Sequence, residues 1–216
     1  MVQERIDRRT FLKITTICCA AGSLPGCDEA PIPGPVLPAS STASLDLQRW
    51  VQAAQVQNCP LWCWAASASM IIGYNGFSVS QERIVRDTYG SLICTTGTST
   101  QIAASLSRPY IDDAGRRFST LITAAYDAFV GIRAISNTFI IGELRAGRPL
   151  IYCNRSHAMV LNSITYQGSA SAPQVISASV IDPWPTAPRI RVLSQRELAA
   201  VDIGGDMTMV ASVLVR

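Results

Sequence analysis

The chain has one histidine and one lysine, and only 15% of its 216 residues are charged. Lys13 is the lysine, so every cationic side chain beyond residue 27 except the histidine is an arginine, and the arginines there nearly balance the acidic residues. Neither a basic stripe nor a basic patch interleaved with aromatic residues is present, which argues against nucleic acid as a partner. The apolar run at residues 14–24 is too short for a permanent membrane-spanning helix.

The chain also lacks the usual paired cysteines separated by two residues that mark many structural zinc sites. Cys59, Cys63, Cys94 and His157 are the residues from which such a site would have to be built, and their spacing disfavours it. We therefore expect no metal and no other cofactor. Hydrophobic residues, in contrast, make up 48% of a chain with the length of one ordinary domain, which is enough to bury a full core.

Residues 1–27 are predicted to be an export signal that does not belong to the fold. Arg8 and Arg9, followed by Phe-Leu-Lys, resemble a twin-arginine export motif. A Leu-Pro-Gly-Cys sequence ending at Cys27 resembles a lipobox, in which that cysteine becomes a lipid-carrying N-terminus. The alternative is an ordinary small-residue cleavage site, in which Cys27 has no special role.

A tether follows the signal at residues 28–44, which are rich first in proline and then in serine and threonine. Such a composition favours an extended spacer, here between a membrane anchor and a domain of residues 45–216. We expect an exported protein, periplasmic or on the cell surface, that meets the membrane only through a lipid on Cys27.

Residues 57–74 carry the strongest chemical signal in the chain. An asparagine and a proline precede a run of small and apolar residues, which predicts Cys63 in the first turn of a helix with Ala66, Met70 and Tyr74 on its apolar face. The unpaired amide groups of a helix N-terminus stabilise a thiolate, which is the nucleophilic form of cysteine. The plainer interpretation of a free cysteine is a small buried hydrophobe.

His157 is predicted at the head of a strand, because a polar break separates it from the preceding β-branched run. A single histidine is otherwise an ordinary residue whose ring needs only a hydrogen-bond partner. Asp182 ends another β-branched run and is the candidate to orient the imidazole, with Asn154 and Asn162 as fallbacks. An Asp-Pro pair is also a common start of a turn.

Gln57 lies six residues before Cys63, so its side-chain amide and the backbone amide of Cys63 are candidates for an oxyanion hole. Together with Trp64, these residues resemble the papain-like cysteine peptidases, which carry a glutamine at this spacing from a cysteine that opens a long helix. The Trp-Cys-Trp-Ala-Ala-Ser segment resembles a bacterial branch that includes a secreted effector protease of plant pathogens. The Ser-His-Ala-Met-Val-Leu context of His157 resembles the histidine strand of the family.

This resemblance implies a peptidase acting on a peptide or protein substrate. Cys63 would attack a carbonyl, His157 would transfer the proton, Asp182 would orient His157, and Gln57 would stabilise the oxyanion. Two alternatives stay open: an amidase or transpeptidase acting on a non-protein amide, and a catalytically silent lipoprotein whose papain-like body binds a partner. We expect a monomer.

The remaining cysteines can form a disulfide if the protein reaches an oxidising compartment. An oxidising compartment allows a disulfide, and Cys59 with Cys94 is the favoured pair because both are predicted in loops near helix ends. Cys153 lies inside a strand-like run and is expected to be a buried thiol. The alternative bond, between Cys59 and Cys63, would consume the nucleophile.

Helical patterns dominate before Gly147 and β-branched runs follow it, which predicts an α+β domain with an antiparallel sheet. The papain-like fold has this layout, with a helical half led by the cysteine helix packed on a C-terminal sheet. Beyond the Cys63 helix, we predict helices at 80–90, 98–106, 120–130 and 137–145, and strands at 149–153, 158–166, 174–181, 189–193 and 207–215.

Overall fold

A computed structural model describes residues 39–169, 171–186 and 189–216. The predicted signal with its twin arginines and Cys27, and the tether up to residue 38, lie outside the described residues. Within the described ranges, no helix is long and apolar enough to cross a membrane.

Four helices come before the first long strand, and their ends carry clear capping signals. Ser80 accepts a hydrogen bond from the Arg83 N–H at the start of one helix, and Gly90 ends that helix in the left-handed conformation, with φ of 74°. Thr98 and Gln101 form a capping box at the next helix. The six α-helices of the described ranges are α1 Leu47–Ala53, α2 Cys63–Tyr74, α3 Gln81–Tyr89, α4 Ser99–Ser105, α5 Asn137–Arg145 and α6 Gln195–Leu198.

The strands pair throughout as antiparallel neighbours, in the order β2-β3-β9-β5-β6-β7-β8. Two short strands lie off this path: β1 pairs with the second half of β6, and β4 pairs with the end of β3. The strands are β1 Ser41–Ser44, β2 Pro109–Ile111, β3 Arg117–Asp127, β4 Ile132–Arg133, β5 Leu150–Asn154, β6 Ala158–Gln167, β7 Gln174–Ile181, β8 Ile190–Val192 and β9 Met207–Val215.

Helix α2 is the centre of the core. Ten of its 12 residues are buried, because it packs against α1 and α3 on one side and against β5 and β6 on the other. Ala65, Ala66 and Ala68 are fully buried, and their small side chains let the helix lie close to its neighbours. The position of Cys63 at the start of this helix is therefore fixed by the core of the domain.

The predicted α+β class with an antiparallel sheet is confirmed, as are the five predicted strands and the helices at 80–90, 98–106 and 137–145 to within a few residues. The predicted helix at 120–130 is wrong, because residues 120–127 belong to β3 and residues 128–130 form the turn that follows it. Leu121, Ala124 and Ala125 allow a helix locally, but β3 forms a long ladder with β9 that only the folded chain provides.

The boundary predicted between tether and domain also changes. Ser41–Ser44 lie inside the predicted tether of residues 28–44 but form β1, in register with Ser163 to Tyr166 of β6. Ala43 is buried in the core cluster, so the folded body begins at least four residues earlier than the composition indicates.

Candidate active site

His157 and Asp182 lie next to each other at the ends of two paired strands, β6 and β7. His157 comes directly before β6 and Asp182 directly after β7, and the pairing of Val160 with Ile181 brings these two strand ends together. The Nε2 atom of His157 is 2.7 Å from Oδ1 of Asp182. The antiparallel register thus joins two residues that are 25 positions apart in the chain.

Cys63 faces this pair from the start of α2. The thiol is half-buried and lies close enough to the His157 ring to contribute to the raised pKa of the imidazole. Because Nε2 is bonded to Asp182, Nδ1 is the ring nitrogen that is left for the thiol. The N-cap residue Trp62 makes no side-chain hydrogen bond to the first turn, so its side chain does not use the amide groups beside Cys63.

The electrostatics of the pair favour a protonated imidazole beside a carboxylate. Burial by itself lowers the pKa of His157, but hydrogen bonds with Asp182 and Cys63 and the charges of both groups outweigh it and raise the pKa to about 9. Burial likewise raises the pKa of Asp182, but hydrogen bonds from His157 and the Trp184 N–H hold it below its ordinary value. An imidazolium next to a thiol stabilises the thiolate.

Trp184 follows Asp182 by two residues and covers the pair. Its ring meets the His157 ring edge-on, with the ring centroids 6.0 Å apart, and its backbone N–H donates to Oδ1 of Asp182 at 2.8 Å. The tryptophan therefore limits the access of water to the His157–Asp182 hydrogen bond from one side.

Gln57 lies in the loop that precedes α2, and its backbone N–H donates to the carbonyl oxygen of Pro183 at 2.9 Å. This bond ties the Gln57 loop to the segment that carries Asp182. The side-chain Nε2, however, donates to the carbonyl oxygens of Cys59 at 3.0 Å and Pro60 at 2.8 Å, while Oε1 is buried without a hydrogen-bond partner among the described residues. Both amide protons of Gln57 are thus in use in this conformation.

A disulfide joins Cys59 in this loop to Cys94, with 6.0 Å between their Cα atoms. The segment around Cys94 is held over the start of α2 by two indole groups as well: Trp62 donates to the Ile93 carbonyl at 2.8 Å and Trp64 to the Thr95 carbonyl at 3.2 Å. The loop that leads into Cys63 is therefore fixed covalently and by hydrogen bonds.

Close packing against Trp64 also explains a glycine in this region. A Cβ atom on Gly97 would lie 2.7 Å from the Trp64 ring, which is closer than real Cβ contacts allow. The backbone can pass over the indole at this point only without a side chain.

The fallback residues take other roles. Asn154 accepts the backbone N–H groups of His157 at 2.8 Å and Ser156 at 3.0 Å through Oδ1, so it shapes the turn before the histidine and does not contact the ring. Asn162 lies within β6 and donates to Oγ of Ser179 at 3.2 Å. Cys153 is a buried thiol in β5, and burial raises its pKa strongly.

Two residues at the site were missed by the sequence analysis, Arg191 of β8 and Glu197 of α6. The Nε atom of Arg191 donates to Oδ2 of Asp182 at 3.0 Å, and its two terminal nitrogens bind the Glu197 carboxylate at 2.7 and 3.1 Å. The sequence offered one sign of Arg191, a charged residue between Ile190 and Val192 within a predicted strand.

The described part of the chain holds no group of three or more His, Cys, Asp or Glu side chains arranged to bind a metal ion. Cys59 and Cys94, two residues of the zinc arrangement considered from the sequence, are joined to each other.

A thiol at a helix start beside an imidazole that is hydrogen-bonded to a carboxylate is the arrangement of a cysteine hydrolase site. A comparison with protein families matches residues 44–195 to the family described as Peptidase_C39 like family, and the chain therefore belongs to this peptidase family. A comparison with curated proteins finds no match.

Among solved structures, the chain is similar to a double glycine motif protease from an AMS/PCAT transporter, determined in complex with the leader peptide. The identity is 15% and the TM-score 0.40, over 75% of this chain and 89% of that chain.

Proposed function

We propose that this protein is a cysteine peptidase that hydrolyses peptide bonds with Cys63 as nucleophile, His157 as general acid and base, and Asp182 as the residue that orients the imidazole. The observation that carries the proposal is the arrangement around His157, whose Nε2 lies 2.7 Å from Asp182 Oδ1 and whose imidazole pKa is raised by its interactions with Asp182 and Cys63. Membership in a peptidase family supports the same assignment.

In the proposed reaction, the Cys63 thiolate attacks the carbonyl carbon of the scissile bond and forms a tetrahedral oxyanion. When the oxyanion collapses, the C–N bond breaks and His157 gives its proton to the leaving amine, which produces a thioester on Cys63. His157 then takes a proton from water, whose hydroxide attacks the thioester and releases the carboxylic acid. Asp182 keeps the imidazole ring in its orientation throughout and stabilises the imidazolium whenever it forms.

The proposed oxyanion donors are the backbone N–H of Cys63 and the side-chain amide of Gln57. Since Gln57 donates to the carbonyl oxygens of Cys59 and Pro60, one of these two bonds must be exchanged for a bond to substrate. The loop is held by the Gln57 N–H bond to Pro183 and by the Cys59–Cys94 disulfide, so we expect the exchange to occur by rotation of the Gln57 side chain and not by movement of the loop.

The proposal is tested with the purified protein and an epoxide that carries a short peptide. Covalent labelling at Cys63, together with cleavage of a quenched fluorescent peptide mixture that is lost in Cys63→Ala and in His157→Ala, is the expected result. Labelling elsewhere, or peptide cleavage that survives Cys63→Ala, would refute the assignment. Release of amines from peptidoglycan fragments without any peptide cleavage would support the amidase alternative.

We also propose that the protein is exported through its twin-arginine signal and held to a membrane by a lipid on Cys27. The motif around Arg8 and Arg9 supports export, and the Cys59–Cys94 disulfide fits an oxidising destination. Replacing both arginines by lysine should block export. Cys27→Ala should release the folded domain from membranes, and a variant that still pellets after a carbonate wash would contradict the anchor.

A further inference from the structure

The side of Asp182 that faces away from His157 is held by a charged pair that is no part of the proposed triad. We propose that Arg191 and Glu197 are positioning residues, which lock the Asp182 carboxylate against His157 and balance its charge. The inference rests on the proposed roles of His157 and Asp182, but its main readout is a titration that needs no turnover.

Strand pairing explains how Arg191 reaches Asp182. Arg191 pairs with Val180 in the β7–β8 ladder, and Val180 and Asp182 point to the same side because they are two residues apart. The Asp182 N–H also donates to the Arg189 carbonyl at 2.9 Å, which keeps the start of β8 beside the carboxylate. The pairing of β8 with β7 therefore places the Arg191 guanidinium beside the Asp182 carboxylate.

Three donors from three segments fix the Asp182 carboxylate. Oδ1 faces His157 Nε2 and accepts the Trp184 N–H, and Oδ2 accepts Nε of Arg191. The Asp182 side chain is only 4% exposed, so the carboxylate has little water to replace a lost donor. Without Arg191, Oδ2 would lose its charge-assisted donor, and the carboxylate would be held only through Oδ1, by His157 and the Trp184 N–H.

Glu197 closes the arrangement into a ring of contacts. Its carboxylate holds the fork of Arg191 and accepts Nδ2 of Asn154 at 3.0 Å, and Asn154 in turn accepts the backbone N–H of His157. His157 is thus fixed at two points, its ring by Asp182 and its backbone by Asn154. Glu197 contacts both supports, Asp182 through Arg191 and Asn154 directly. A displacement of α6 would move both of them.

The charges along this ring alternate in sign, which has a consequence for the imidazole. Arg191 alone would weaken the negative potential of Asp182 at His157, and Glu197 compensates for it. The Arg191 contact holds the pKa of Glu197 at about 2, so the compensating charge is present at any pH near neutrality. Further titratable or charged groups near the His157–Asp182 pair include Cys63 of α2, buried Cys153 of β5, the exposed Arg189 before β8, and the Arg155–Asp206 ion pair beside the turn before His157.

Glu197 also has a local structural role, because it forms the capping box of α6 with Ser194. A capping function alone predicts that Glu197→Gln is harmless, since glutamine serves equally well at this position. It also predicts no dependence on Arg191. The titration of His157 separates the two roles.

The experiment uses the single histidine of the chain as its probe. The full chain, purified without a histidine tag and labelled with ¹⁵N-histidine, gives one imidazole whose titration is read by NMR. Arg191→Met removes the positive charge and should raise the pKa of His157. Glu197→Gln leaves Arg191 uncompensated and should lower it. Each shift should be on the order of one pH unit for charges at these separations.

The double variant Arg191→Met/Glu197→Gln is the decisive comparison. Since both charges are then absent, while Oδ1 of Asp182 keeps its contacts with His157 and the Trp184 N–H, the His157 titration should return to within about half a unit of the wild type. Shifts of the two single variants in the same direction, or no shift in either, would overturn the proposal, because a merely structural role loosens the site without this reversal of sign.

Arg191→Lys covers the case in which Arg191→Met does not fold. Lysine keeps the charge but cannot bind Asp182 and both oxygens of Glu197 at once, as the planar guanidinium does. The His157 titration should therefore stay near that of the wild type, while kcat/KM falls about tenfold because Asp182 is held less firmly. A titration that moves by a full unit in Arg191→Lys would contradict the charge balance. Arg133→Met is the matched control, since Arg133 is an exposed arginine in an ion pair with Asp202, and it should leave the titration unchanged.

If the wild-type protein shows no turnover with any substrate, the proposed peptidase function fails but the titration still decides this inference.

Discussion

Asp182→Asn is the substitution that tests the electrostatics of the site most directly. It keeps the shape of the side chain and an oxygen that can accept the His157 Nε2 proton, but it removes the negative charge 2.7 Å away. It also places an amide group where Arg191 now finds an acceptor. We expect the folded structure to persist and the proton on His157 to be held less tightly.

The size of the effect follows from the shift of the histidine. The pKa of His157 is raised from an ordinary 6.5 to about 9, which corresponds to about 3 kcal/mol in favour of the imidazolium. Loss of an opposite charge at hydrogen-bond distance changes a pKa by roughly 1–3 units. In Asp182→Asn the pKa of His157 should therefore fall to between roughly 6 and 8.

The assay is the rate of Cys63 alkylation by iodoacetamide as a function of pH. Since the imidazolium stabilises the thiolate, the wild-type protein should react readily at about pH 6, and Asp182→Asn should react at least about tenfold more slowly there. The basic limb of kcat/KM should move down in pH by the same shift. Asp113→Asn is the matched control, because Asp113 is exposed and bonded only to Ser78 among the described side chains.

Stability gives an independent readout with a defined sign. The pKa of His157 is higher in the folded than in the unfolded protein, so its contribution is fully present below about pH 6.5 and is lost as the pH rises through about 9. The free energy of unfolding should fall over this window in the wild type and much less in Asp182→Asn. Unchanged pH dependence of both alkylation and unfolding would show that Asp182 does not hold the His157 proton.

Three further predictions concern the residues around Cys63. At about pH 6, iodoacetamide should modify Cys63 and spare Cys153, whose burial raises its pKa; peptide mapping that finds Cys153 modified first would reverse the assignment. Gln57→Ala should lower kcat by about 10²–10³-fold through loss of an oxyanion donor, whereas an unchanged rate would mean that another group fills this role. Replacing Cys59 and Cys94 by serine should destabilise the protein by about 3–4 kcal/mol in urea, because the bond closes a loop over a separation of 35 residues.

The positions of the proposed catalytic residues could be predicted from local sequence. Cys63 at a helix start, His157 at a strand head and Asp182 at a strand end are each marked by turn residues next to apolar runs, and such signals involve only neighbouring residues. The strands at 158–166 and 174–181 were found for the same reason, since an apolar β-branched run is visible without its partner.

The segment 117–127 shows where this reasoning fails. Its composition allows a helix or a strand, and the choice is made by pairing with β9, whose residues lie almost 90 positions later. β1 is a similar case, since Ser41–Ser44 look like a linker until β6 offers them hydrogen-bonding partners. Pairing energy between distant strands is not encoded in the local pattern.

Tertiary structure alone decided how the site is supported. No spacing in the sequence connects Arg191 to Asp182 or Glu197 to Asn154, because these contacts exist only after β8 is laid beside β7 and α6 is packed over the sheet. The side-chain amide of Gln57, likewise, turns to the carbonyl oxygens of its own loop, an orientation that its spacing from Cys63 did not predict. The sequence determines which groups can react, because local signals place them at element ends, whereas their orientation depends on contacts between elements that only the folded chain brings together.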